Sequence, residues 1–330
     1  MRKLILPLLV LAVLAYWFGL DQAARTLAHA SARGLAVYAL LTALVVLGYA
    51  LRWRLVATAL GAAPPLGRLT AARLAGDAVG SLVPSAKLAG EPVRVALVRG
   101  GGTSTVQATA GVAIDRLLEL FGNLVAVLVY MAVFCAVRGA TWTDRTPVGL
   151  AAATLLLLVA LAALLVRLRG GGRPFAALYG ARARALVPRL ATWMDGVRHV
   201  EDHLARFFHE HPRAFLLGAL SSLLIEALTI VQYHALLAAF GIALDLPTLV
   251  LVLLGGGLAN AAPLPAGLGA LEAVQVAVVG AVAGRPDLGF VVGVIVRLHQ
   301  TLLLLLGLAV LSYRGISLAR LRPAAQRAGV

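Results

Sequence analysis

The chain has 330 residues, of which 61% are hydrophobic and only 13% charged, and its mean hydropathy is +0.93. Soluble domains carry about 25% charged residues, so composition excludes a soluble globular protein and points to an integral membrane protein. A formal charge of +15 does not signal nucleic-acid binding here, because the arginines lie between apolar runs rather than interleaved with aromatics on a polar face.

In chain order, a basic start at Arg2 and Lys3 precedes an apolar stretch at about 4–20 that ends near Tyr16 and Trp17, residues suited to a membrane interface. A cleaved signal peptide shares this layout, but its apolar core is shorter, about 7–15 residues. A retained first span is the expectation. Further apolar runs at about 35–51, 116–137, 148–166, 214–240 and 288–313 approach or exceed the roughly 20 residues a helix needs to cross a bilayer. Two more apolar segments, near 69–98 and 248–284, are interrupted by proline and glycine. Strand-like alternation is absent, so the expected fold is all-α, a polytopic membrane helical bundle forming a single domain over 1–330. The single cysteine, Cys135, lies inside an apolar run and cannot form an intramolecular disulfide.

Charge predicts orientation. Arg2 and Lys3, then Arg52, Arg54 and Arg68, then the stretch Arg167 to Arg213, and finally Arg314, Arg320, Arg322 and Arg327 make the most basic loops. The positive-inside rule puts these loops, and with them both termini, in the cytoplasm. The connector at about 167–213 mixes arginine with Leu, Val, Phe and Trp. It reads either as a helix lying on anionic lipid headgroups or as ordinary retention charge. Within it His199 and His203 flank Glu201 at a spacing that suits a metal. Nothing else supports a metal centre, and a solvated helix face is expected.

Two distant stretches look alike. Residue 265 less 84 and residue 272 less 91 both give 181, pairing Pro84 with Pro265 and Glu91 with Glu272. The same offset pairs Ala89 with Ala270, Val93 with Val274 and Val98 with Val279, and it carries Arg116 onto Arg297 and Glu119 onto Gln300. A register kept across spans and breaks indicates two repeats, about 33–137 and 214–318. Orientation makes them inverted, because the span at 35–51 ends at basic residues while the one at 214–240 begins after them. Paired Pro/Gly-interrupted segments in inverted repeats are the pattern of secondary transporters.

Broken backbone survives in hydrocarbon only when buried in protein or lining a wet cavity. Each broken segment is therefore expected to be re-entrant and to place polar groups near mid-membrane. Glu91 and Arg94, three residues apart, share a helical face and can neutralise one another; a structural ion pair near the surface is the alternative. Glu272 stands among apolar neighbours and Arg297 deep in an apolar run, so both are expected to face a cavity. Asn260 belongs to the second break, Lys87 to the loop before Glu91, and Arg116 to the start of a span. These seven residues form the candidate substrate-binding set, with Arg116, Asp115 and Glu119 fitting an interfacial anchor equally well. Glu226 and His234 lie near one face of a span, as an interhelical hydrogen bond or a proton relay.

The stretches "LVPSAKLAGEPVRVALV", "AIDRLLEL" and "PLPAGLGALEA" resemble the lysylphosphatidylglycerol synthase transmembrane-region family, also called the flippase-like domain family. The resemblance covers essentially the whole chain, with Ala266 standing where that family usually has glycine and Lys87 as a second departure. It implies a polytopic module of the kind that moves aminoacylated phosphatidylglycerol across the inner membrane. Stand-alone relatives are associated with hopanoid and polyprenyl-linked glycolipid pathways, whose enzymes are candidate partners. Bifunctional members carry a following aminoacyl-transferase domain; here the sequence stops at Val330, and synthase activity is not expected.

The expected function is thus a lipid flippase or transporter without a cofactor, its substrate a polar-headgroup membrane lipid. No phosphate-binding glycine loop ending in Lys-Ser or Lys-Thr is present, and the glycines at 100–102 and 170–172 read as flexible loops. The rival is a membrane-embedded lipid-modifying enzyme or accessory subunit, with Glu272 as general base and His299 or His234 as its partner. Hydrolase signatures are absent. A structural scaffold would not need paired charged breaks.

Overall fold

The computed structural model describes residues 30–83, 88–138, 145–177, 189–261 and 270–313. The expected first span, Pro84, Lys87, Pro263, Pro265, Ala266 and the basic C-terminal arginines lie outside the described residues. Among the described residues the structure is helical, its one bridge closing a turn between Gly100 and Thr103. The helices are α1 (Ala32–Ala59), α2 (Leu66–Leu82), α3 (Glu91–Val98), α4 (Thr105–Arg138), α5 (Arg145–Arg169), α6 (Pro174–Ala177), α7 (Arg189–Glu210), α8 (Pro212–Ala239), α9 (Leu246–Ala261), α10 (Ala270–Ala283) and α11 (Pro286–Tyr313).

Local chemistry explains where they start and stop. Ser31 caps α1 by accepting from the Gly34 amide at 3.2 Å. Ser104 and Gln107 form a reciprocal capping box at the start of α4, with bonds of 3.1 and 3.0 Å. That cap sets the helix going well before the apolar run at 116–137, so Asp115 and Arg116 sit inside a helix rather than at its entrance. Proline opens both α8 and α11, where a missing N–H costs nothing. The glycines at 170–172 are not a flexible loop: their amides donate to the carbonyls of Val166, Leu168 and Arg167 and close α5. Those at 100–102 form the turn in which Gly100 and Thr103 exchange backbone hydrogen bonds.

Among the described residues, four helical stretches are long and apolar enough to cross a membrane: Ala32–Ala59, Ala151–Arg169, Pro212–Ala239 and Pro286–Tyr313. Large apolar side chains such as Leu40, Leu44, Leu155, Leu156, Leu217 and Leu224 are exposed along them, a surface that suits lipid and not water. The two broken segments do not form single long helices. The first gives α2 and α3, and the second gives α9 and α10.

The chain divides into two compact units. One holds the residues up to Val46, Thr70–Leu97 and the residues from Leu228; the other holds Leu47–Leu69 and Val98–Ala227.

In the first unit α11 is the central element, buried on every side from Val292 to Arg297. Its first half packs on α10, with Gly289 against Gln275 and Val276, and Gly293 against Glu272. Its second half packs on α2: Leu304 and Leu308 meet Ala78 and Leu82, and Leu311 meets Ala75, Val79 and Val93. Gly307 must be glycine, since a Cβ there would run into the Leu74 carbonyl and lie 2.6 Å from Ala78 Cβ. Gly90 and Gly76 allow α2 and the turn into α3 an equally close approach. Both contacts give a direction. As α11 advances from 289 to 293, α10 retreats from 276 to 272; as α11 advances from 304 to 311, α2 retreats from 82 toward 75. The start of α10 and the end of α2 therefore both point at the middle of α11, from opposite ends. Tyr38 of α1 and Leu236 and Leu237 of α8 complete this core, and the two helices run antiparallel, Gly34 against Ala239 and Thr42 against Gln232.

In the second unit Val56 of α1, Ala110, Ile114 and Leu118 of α4, Leu168 of α5 and Ala219 of α8 share a core with Leu204, Phe207 and Phe208 of α7. The apolar residues Leu204, Phe207 and Phe208 of α7 are thus covered by the protein itself. The solvated face expected at His199, Glu201 and His203 is corrected at Glu201, which is buried. Glu201 is 1% exposed and accepts from the Ala176 amide at 3.1 Å, and His203 Nδ1 bonds the His199 carbonyl at 2.8 Å. No three His, Cys, Asp or Glu among the described residues could hold a metal ion.

Candidate functional site

Glu272 enters the site as an acid in the first turn of α10, where the helix dipole favours a negative charge. Arg297 of α11 faces it because Gly293, one turn earlier, lets the two backbones close up. The guanidinium donates through Nε to Oε1 at 2.8 Å and through Nη2 to Oε2 at 3.1 Å, the bidentate geometry arginine forms with carboxylates. Arg297 Nη1 also reaches Gln300 Oε1 at 3.4 Å. Glu272 keeps 12% and Arg297 5% of its side chain accessible. This is a nearly dry charge pair in a span, where an isolated ion would cost several kcal/mol.

Gln275, one turn after Glu272, is fully buried and donates to the Val252 carbonyl at 2.9 Å, tying α10 to α9. On the other face of α11, His299 is hydrogen-bonded through Nδ1 to the Tyr38 hydroxyl and stacks edge-on against Tyr233 at 5.3 Å. Residues 297 and 299 are about 200° apart around the helix, so Arg297, which holds Glu272, and the His299 imidazole leave α11 from different faces.

The second station lies on α2 and α3. Arg94 is 1% exposed and donates to Glu91 at 3.0 Å. Arg73 holds Asp77 at 2.7 Å, and Arg94 packs against Gly76 between them. Glu91, like Glu272, sits in the first turn of the helix after its break.

Of the seven sequence candidates, Glu272 with Arg297 and Glu91 with Arg94 are brought together as two pairs in the first unit. Arg116 belongs to the second unit and donates to Glu119 at 3.1 Å. Asn260 lies in the last turn of α9, and Lys87 is outside the described residues. Of the residues weighed for other roles, His234 is exposed and Glu226 half-buried, and they belong to different units.

Sequence reasoning placed Arg52 in a basic loop. It lies inside α1, 2% exposed, bonded to Asp115 Oδ1 at 2.8 Å and Ser222 Oγ at 3.0 Å. Tyr38, Arg73, Tyr233, Ser222 and Gln275 escaped notice altogether. A polar stripe at 222, 226, 229 and 232 along α8 was the available signal for part of this set.

The family model described as the lysylphosphatidylglycerol synthase TM region matches residues 4–307. The chain belongs to that family. No curated protein matched. Membership in the lysylphosphatidylglycerol synthase TM family, together with the apolar helices, makes this a membrane-embedded protein of lipid-related function. Of the motifs that carried the resemblance, "EPVR" holds the Glu91–Arg94 pair, "AIDRLLEL" the acids that meet Arg52, and the final "LEA" the carboxylate held by Arg297.

Proposed function

We propose that the chain is a lipid flippase or transporter of the bacterial inner membrane, with both termini cytoplasmic and two inverted repeats that each fold a re-entrant hairpin toward mid-membrane. The observation that carries this reading is the approach of α2 and α10 to the middle of α11 from opposite ends. Element boundaries support the repeats: α1 and α8 are both 28 residues long, 180 apart, and α4 and α11 begin at 105 and 286. Corresponding helices α1 and α8 run antiparallel, as inversion requires.

Arg297 and Leu304, the last contacts flanking the meeting place, are seven residues or about 10 Å apart along α11. A polar headgroup fits that interval. Its phosphate would compete with Glu272 for the Arg297 guanidinium, and Glu91 with Arg94 would serve the opposite opening, while the acyl chains stay in hydrocarbon. Asn260 and Lys87 keep their expected roles around the headgroup, whereas Arg116 is paired with Glu119 in the other unit and is left out of this site. Rocking of one repeat against the other would alternate access. The arginine-rich connector at about 167–213 would rest against anionic headgroups.

Reconstitution into liposomes with fluorescent lipids tests this, comparing wild type with Glu272→Gln and Arg297→Gln at a temperature where all remain folded. Headgroup-dependent movement across the bilayer, lost in both variants, is the expected result. Wild-type movement in both variants would sink the site, and chemical conversion of the lipid without movement would favour a lipid-modifying enzyme.

A further inference from the structure

The second unit contains a polar network that the transport site does not use. Arg52 of α1 holds Asp115 of α4 at 2.8 Å and reaches Glu119 at 3.6 Å, and Arg116 takes the other oxygen of Glu119 at 3.1 Å. Ser222 of α8 accepts from Arg52 and donates its hydroxyl hydrogen bond to the Gly218 carbonyl. Two guanidinium groups thus serve Asp115 and Glu119.

A third carboxyl adjoins them. The Asn123 side-chain amide, oriented as its surroundings require, donates to Glu226 Oε1 at 2.7 Å and to the Glu119 backbone carbonyl at 3.2 Å. The ion pairs that Arg52 and Arg116 make with Asp115 and Glu119 do not take in Glu226. Glu226 lies fourteen residues after Pro212 in a 28-residue apolar helix, the middle of a span. With every group ionised, three carboxylates face two guanidiniums, leaving one uncompensated negative charge at a depth where such a charge is expensive. One proton removes the imbalance. The Asn123 amide fixes Oε1 and leaves Oε2 to carry that proton, and neither side chain is fully buried.

We infer that Glu226 is a proton-exchanging site that couples lipid movement to the transmembrane proton gradient. The coupling rests on the transport reading above; the proton exchange does not. The step is a simple protonation: the Glu226 carboxylate takes one proton on Oε2 from the side of higher proton activity and returns it on the other. Asp115, Glu119, Arg52 and Arg116 are its charged surroundings and stay paired throughout.

Two measurements on the full chain test it. Infrared difference spectra between acidic and alkaline buffer should contain a protonated-carboxyl band that Glu226→Gln lacks and Glu226→Asp retains at a shifted position. In liposomes bearing a gradient of one pH unit, one proton per lipid sets an accumulation ratio of about tenfold. Wild type and Glu226→Asp should accumulate lipid, whereas Glu226→Gln should only equilibrate it. An unchanged carboxyl band in Glu226→Gln, accumulation insensitive to the pH gradient, or accumulation driven by sodium instead would overturn the inference. If the wild-type liposomes move no lipid, the transport reading and its coupling fail together, and the infrared band still decides whether Glu226 exchanges a proton.

Discussion

Arg297 grips both carboxylate oxygens of Glu272 across the seam between α10 and α11, at 2.8 and 3.1 Å. The pair locks the first turn after a break in the chain to the most buried helix of its unit, so it is both a structural rivet and a polar foothold.

Breaking that pair from one side leaves a charge without its counterion. Glu272→Gln and Arg297→Gln should each lower stability by about 3–5 kcal/mol. The double variant Glu272→Gln/Arg297→Gln should lose clearly less than the sum, because neither survivor is charged. Thermal unfolding in detergent micelles measures this, and additive losses would show that the residues do not act together.

The same reasoning applies to Arg52 and Asp115, both essentially inaccessible. Arg52→Met alone should destabilise by about 3–5 kcal/mol, while Arg52→Met/Asp115→Leu should recover much of the loss, since an apolar pair of similar volume avoids desolvation altogether. Equal midpoints for Arg52→Met and wild type would return Arg52 to the loop that sequence suggested.

Packing at Gly307 is a separate matter. Gly307→Val places side-chain atoms where the Leu74 carbonyl and Ala78 already stand, and should cost about 1–3 kcal/mol through forced separation of α2 from α11. Limited proteolysis near Val83 should accelerate in parallel. A variant as stable and as resistant as wild type would mean that α2 does not rest on α11.

Tyr38→Phe removes one buried hydrogen bond to His299 while keeping the ring and its T-shaped contact at 5.6 Å. A loss of about 1 kcal/mol is expected. Thermal midpoints of Tyr38→Phe and wild type compared in one detergent test it, and equal midpoints would mean that the hydroxyl does not hold His299.

Composition and pattern alone established the solvent, the helical class and the positions of the breaks. A chain this apolar has only lipid to live in, and there every backbone amide must be satisfied within a helix. The 181-residue offset located Glu91 and Glu272, because proline and glutamate are rare enough in such a chain to mark a register. Pairs close in sequence, such as Glu91 with Arg94, were legible for the same local reason.

Which charges meet across helices was decided only by tertiary packing. Arg52 looked like a loop residue because one-dimensional charge counting assigns arginine to water; its place in α1 follows from Asp115 and Ser222 on two other helices, a coincidence no local pattern encodes. Gln275 and Tyr38 are single polar residues in apolar runs, and their partners are 23 and 261 positions away. The apolar face of α7 read equally well as a membrane face, because amphipathicity tells that a stripe must be covered and leaves the cover unnamed. Phe207 and Leu204 found theirs on α4 and α5. Periodicity and composition report the medium each residue requires, while the partner that supplies it is a matter of three-dimensional closure.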